Sequence, residues 1–158
     1  CYVVEPISHQ IEILKKNVGQ DNVKIIQGAI TDKKKIEITW DEMTESVPTF
    51  SFKEFLEEHK INKIDFLKCD CEGGEYDVFQ QSNIEFLKTI PKIVTEFHMR
   101  DDDSFHKCKF RWFRDNIFPQ FDNIQVFSVD GVDIKWDLWN EHFIDYYSEV
   151  IVYMDNRK

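Results

Sequence analysis

The chain has 158 residues, 42% hydrophobic and 15% aromatic, with 5 Gly and 4 Pro, which is enough to bury one core and excludes a low-complexity or disordered tract. Thirty acidic against 20 basic residues give a net charge of −10, a field that repels phosphate backbones and anionic lipid and so argues against nucleic-acid and membrane partners. No apolar run approaches the roughly 20 residues that span a bilayer.

Taken in order, Tyr2-Val3-Val4 is a short apolar strand ending at Glu5-Pro6. Pro6 suits the first turn of a helix, Ile7, Ile11 and Leu14 recur at helical spacing, and Gly19 offers a left-handed cap. Val23–Ile26 is the next strand, closed by Gly28, and Ile36–Trp40 alternates as an edge strand or hairpin arm. The spacing predicts a helix over Thr49–His59, with Ser51 and Glu54 forming a capping box. Ile64–Cys69 is the best candidate for a central strand, and a helix through Tyr76, Val78 and Phe79 follows it. Lys92–Phe97 repeats the strand pattern, Ser104–Ile117 is an aromatic helix, and Ile124–Val129 with Glu149–Met154 forms a closing strand pair. Alternating strands and helices predict one α/β domain over residues 1–158, its sheet mostly parallel with an antiparallel C-terminal strand pair.

Ligands of such sheets bind beyond the carboxyl ends of the strands. Three places meet that rule: Glu5, the Asp70–Glu75 turn, and Glu96-Phe97-His98. Glu5 can take two ribose hydroxyls on its two oxygens, or it is a solvated acid at a strand end. In Lys68-Cys69-Asp70-Cys71-Glu72-Gly73-Gly74-Glu75, three carboxylates within six positions repel one another unless hydroxyls or a cation stand nearby; the plainer alternative is an acidic first helical turn on the helix dipole. His98 is either a general base or a hydrogen-bonded structural residue. His106, Cys108 and His98 match no common zinc spacing, and Asp101–Asp103 reads as a solvated capping loop, so no metal site is expected. Phe105, Phe110, Trp112 and Phe113 read as core or lid packing. Cys69 and Cys71, two apart, should share a strand face as small buried hydrophobes, and four cysteines in a chain of this length suit a reducing, cytoplasmic compartment.

These segments together resemble a family. Val4-Glu5-Pro6, Gln27-Gly28-Ala29-Ile30, Ile64-Asp65-Phe66-Leu67-Lys68-Cys69-Asp70-Cys71-Glu72-Gly73-Gly74-Glu75 and Pro91–His98 are similar to successive motifs of the FkbM-type methyltransferases. The resemblance runs from the first residue to about His98. It implies a Rossmann-like methyltransferase sheet, S-adenosylmethionine as cofactor, and methyl transfer to a hydroxyl of a small molecule or sugar. It also implies that Glu5 holds the cofactor ribose, that Ala29 flanks the adenine with Asp32 near its amino group, and that Asp70 and Glu72 lie at the methyl-transfer face. Asp70, Glu72 or His98 would take the acceptor's proton. The family's first strand and glycine-rich loop find no counterpart: no two of the five glycines make a G-x-G pair, and Cys1–Glu5 reads as the middle of a buried strand, as in a fragment. The lost strand would lie between those ending at Glu5 and Asp70, and the chain as it stands should then bind the cofactor poorly. Phe52-Lys53 also departs from the family's Leu-Asp pair. Two other readings stay open. One is a non-catalytic methyltransferase-like module that binds a protein or glycan; the other is a dinucleotide-dependent oxidoreductase, which leaves the Asp70–Glu75 block unexplained.

Overall fold

The computed structural model describes residues 1–18, 22–41, 43–99 and 104–157, with 104, 105 and 144 described by their backbone alone. The expected cap at Gly19 and the Asp101–Asp103 loop lie outside those residues, as does the side chain of Phe105. The architecture is mixed α/β, in two compact units, residues 1–60 and 61–158. Its strands form four small sheets rather than the single continuous one expected. No helix among the described residues is long and apolar enough to cross a membrane.

The first unit opens with β1 (Tyr2–Glu5), α1 (Ser8–Asn17) and β2 (Lys24–Gln27). The two strands pair in parallel, Tyr2 opposite Lys24 and Glu5 opposite Gln27. α1 stops at Val18, whose N–H donates to the Leu14 carbonyl. β3 (Ala29–Ile30) pairs in parallel with β6 (Thr49–Phe50). β4 (Ile36–Trp40) and β5 (Met43–Val47) make an antiparallel hairpin closed by the Trp40–Met43 pair. Asp41 enters its turn with φ 44°, a conformation that Asp tolerates because its short side chain bonds locally. α2 is Phe52–Glu58, three residues shorter at its start than the periodicity suggested, because Thr49 and Phe50 are taken by the ladder with β3. The capping box is present: Ser51 Oγ accepts from the Glu54 N–H at 3.2 Å, and the Glu54 carboxylate accepts from the Ser51 N–H at 2.9 Å. Phe55 is buried, with its ring 6.0 Å from Phe50 and 4.7 Å from His59.

The second unit holds β7 (Phe66–Cys69), α3 (Glu75–Val78), α4 (Ile84–Leu87), β8 (Lys92–His98), α5 (Ser104–Asn116), β9 (Ile124–Phe127), α6 (Phe143–Tyr146) and β10 (Glu149–Asp155). Its sheet runs in the order β7, β8, β10, β9. β7 and β8 are parallel, while β10 is antiparallel to both its neighbours. The closing strands therefore do form an antiparallel pair, but the last one inserts beside β8. β7 lies at the sheet's edge rather than its centre, with Phe66 56% exposed. The core is aromatic: Phe79, Phe97, Phe110, Phe118 and Phe143 are fully buried. The Phe97 ring lies 5.5–6.0 Å from those of Tyr76, Phe79, Phe110, Phe113 and Phe118, mostly tilted or edge-on. Each such ring contributes about 1.5–3 kcal/mol by leaving water, and together they hold β8 against the helices around it.

Candidate functional site

β8 sets the geometry. Side chains alternate along a strand, so Phe97 enters the core while Glu96 and His98 share the other face. The register does the rest. Cys69 lies opposite Thr95, which puts Asp70 beside Glu96, and Glu149 lies opposite His98 across the antiparallel ladder. Acidic groups from three strand ends thus gather around one imidazole.

The turn after β7 is shaped to hold them. Glu72 and Gly73 both have positive φ, 53° and 103°, and only glycine adopts the second without strain. A Cβ on Gly73 would also stand 2.5 Å from the His106 ring. The turn aims its amides inward at Glu75, which is fully buried. Glu75 Oε1 accepts from the Cys71 N–H at 3.0 Å and Oε2 from the Gly73 N–H at 2.9 Å. Glu75 Oε1 also lies 2.7 Å from His98 Nδ1. A carboxylate oxygen only accepts, so Nδ1 carries the proton and Nε2 is the nitrogen turned toward the cluster. Tyr76 Oη donates to the His98 carbonyl at 2.9 Å and fixes the strand end.

His98 Nε2 faces Glu72 at 3.7 Å, Glu149 at 3.9 Å and Glu96 at 4.0 Å. Asp70, Glu96 and His98 each present a ligand atom, all within 4.8 Å of one another. Lys68 Nζ stands 2.8 Å from Asp70 Oδ2. Two like charges about 4 Å apart repel by about 4 kcal/mol at an effective dielectric of about 20, so carboxylates gathered this closely favour positive charge among them, which Lys68 and the His98 imidazole are placed to supply. Burial, then the Asp70 charge, pushes the Glu96 carboxyl up. Burial pulls His98 down, but the Glu75 hydrogen bond and the Glu75, Glu96 and Asp70 charges outweigh it, and the imidazole ends above its ordinary value. The Asp70 hydrogen bond holds Lys68 up.

Cys69 is buried but Cys71 is exposed, beyond the end of β7, so the expectation of two buried hydrophobes fails for Cys71. Their sulfurs are 3.6 Å apart. The shared hydrogen bond and burial push the Cys69 thiol well up, while the same bond lowers Cys71.

Glu5, Ala29 and Asp32 lie in the first unit. Glu5 ends β1 and turns Oε1 back to the Ile7 N–H at 2.8 Å, leaving its second oxygen without a hydrogen bond among the described residues. The Gly28 N–H donates to the Glu5 carbonyl at 3.2 Å, and Ala29 follows it in β3. Asp32 is exposed just after that strand. Asp70, Glu72 and His98 lie in the second unit, where they come together. Two participants escaped the sequence reading. Glu75 stood in the singled-out block, but its burial has no local signal. Glu149 reaches the cluster through pairing with a strand 51 positions earlier.

No curated protein and no solved structure matches the chain. The model of the methyltransferase FkbM domain matches residues 2–154, nearly its whole length. The chain belongs to the FkbM methyltransferase domain family.

Proposed function

We propose that this methyltransferase uses S-adenosylmethionine, on a Rossmann-like scaffold, to methylate a hydroxyl oxygen of a small molecule or sugar. The observation that carries the reading is the gathering of Asp70, Glu72, Glu96 and His98 at the strand ends of a chain of this family. The residues suit the cofactor. S-adenosylmethionine supplies an electrophilic methyl group on a sulfonium cation, and a carboxylate-rich surface favours a cation. Glu5, with one oxygen tied to the Ile7 amide and the other making no hydrogen bond among the described residues, suits a ribose hydroxyl. Ala29 and Asp32 are the candidates for the adenine.

At the transfer face the chain's own work is to hold the acceptor in line and to remove its proton. Asp70, Glu72 and His98 are the groups at hand. The Glu75 hydrogen bond orients the His98 ring and stabilises positive charge on it, as a buried carboxylate does for a catalytic imidazole. The acidic surface disfavours nucleic acid as the acceptor, and a reducing, cytoplasmic setting suits four free thiols.

The test is transfer of labelled methyl groups from S-adenosylmethionine to a panel of sugars and small hydroxyl compounds by the full gene product, including any residues encoded ahead of Cys1. Methyl ethers should form, and among Asp70→Asn, Glu72→Gln and His98→Gln the one that removes the base should slow transfer by about 10²- to 10⁴-fold. Methylation at nitrogen or carbon alone would sink the oxygen assignment. Failure to bind the cofactor would favour a partner-binding module.

A further inference from the structure

We propose that Asp70, Glu96 and His98 form a binding site for one divalent cation of the Mn²⁺ or Zn²⁺ type. The sequence offered no metal spacing because the ligands come from two strand ends 26 positions apart and meet only through the β7–β8 register.

Two independent features point to an ion. The first is the spacing. Ligands about 2.1 Å from a shared metal lie about 3.0–4.2 Å apart. The three ligand atoms here lie within 4.8 Å of one another, so small side-chain rotations complete the set. The second is the state of His98. Its side chain is only 4% exposed, its Nδ1 is held by the fully buried Glu75, and its Nε2 makes no hydrogen bond among the described residues. The carboxylates of Glu72, Glu149 and Glu96 stand around Nε2 at 3.7, 3.9 and 4.0 Å. That is too far for a proton to bridge and the separation expected of two ligands on one ion. A buried carboxylate fixing the far nitrogen of a ligand histidine is the usual support of a metal centre.

The donor set decides the class of ion. Two carboxylates with one imidazole suit Mn²⁺ or Zn²⁺, whereas oxygen alone would suit Mg²⁺ or Ca²⁺. Lys68 now neutralises Asp70 at 2.8 Å; its side chain is 64% exposed and can swing away when the ion enters. Glu72 and Glu149 complete the shell or hold its waters. The role of the ion rests on the reading of this cluster as the transfer face: it would hold the acceptor's oxygen and leave Glu72 to take the proton. Binding itself does not depend on that reading.

The experiment titrates Mn²⁺ into the chelator-stripped full chain, by calorimetry and electron paramagnetic resonance, with S-adenosylmethionine binding measured in parallel. One Mn²⁺ per chain is expected, with affinity at least tenfold weaker in Glu96→Gln, whose partly exposed position leaves the fold intact by circular dichroism. Glu75→Gln should weaken binding by about 10- to 100-fold through the ring it supports. No Mn²⁺ binding at millimolar metal, or Glu96→Gln and Asp70→Asn binding as the parent does, would overturn the site. Mn²⁺ binding without cofactor binding keeps the site and removes the transferase reading; cofactor binding without Mn²⁺ binding does the reverse.

Discussion

Glu75 is the residue whose removal should be felt most in the second unit. It is fully buried and accepts three hydrogen bonds, from the Cys71 and Gly73 amides and from His98 Nδ1. Glu75→Gln keeps the shape and one acceptor oxygen, which can serve Cys71 and His98. Its amide nitrogen then faces the Gly73 N–H, so one bond is lost and two donors oppose each other. Leaving a buried donor unsatisfied costs about 1–3 kcal/mol. For a chain of this size that corresponds to a fall in Tm of roughly 2–12 °C. Glu75→Ala strands all three donors and opens a cavity, and should cost about 4 kcal/mol or more, a large part of an ordinary domain's stability. Urea unfolding followed by circular dichroism measures both. Glu75→Ala within about 1 kcal/mol of the parent would show that the three donors do not depend on this carboxylate, and so would equal losses in the two variants, which retain different numbers of acceptors.

Three other outcomes follow from the same geometry. Phe97→Ala, removing the ring at the centre of the aromatic core, should destabilise by about 3–5 kcal/mol in the same assay. Gly73→Ala, at φ 103° and 2.5 Å from the His106 ring, should lose about 1–3 kcal/mol; Gly131→Ala, with φ 80° but open space around it, should lose less. Arg157 beside Asp155 holds its carboxyl down, from 3.8 to about 2. The folded value is the lower one, so this pair's contribution is present above pH 3.8 and fades as pH falls toward 2; a carboxyl-detected NMR titration should show it, and Arg157→Ala should return the midpoint toward 3.8.

Much of this was legible in the sequence, for local reasons. Ser51 and Glu54 announce a helix start because a capping box is complete within four residues. Ile36–Trp40 announces a strand by alternation, and the Asp70–Glu75 block announces a site by its crowded charge. What could not be read is set by pairing between distant segments. Thr49 and Phe50 look helical until β3 claims them. β10 slips between β8 and β9, and nothing in Glu149–Asp155 specifies that place. Phe66 looked central by apolarity, but it faces outward on an edge strand. Cys71 follows the strand's alternation on paper, yet the chain has already turned there, toward the positive φ of Glu72. Glu75 read either as one of three crowded carboxylates in want of hydroxyls or a cation or as an acid of a first helical turn, because only the folded turn shows three donors converging on it.

The most direct test of the account is S-adenosylmethionine binding by calorimetry to the full gene product and to its Glu5→Ala variant. One bound cofactor per chain is expected, with affinity clearly weakened by Glu5→Ala while the circular dichroism spectrum stays unchanged. No binding at millimolar cofactor, or equal binding by the two proteins, would contradict it.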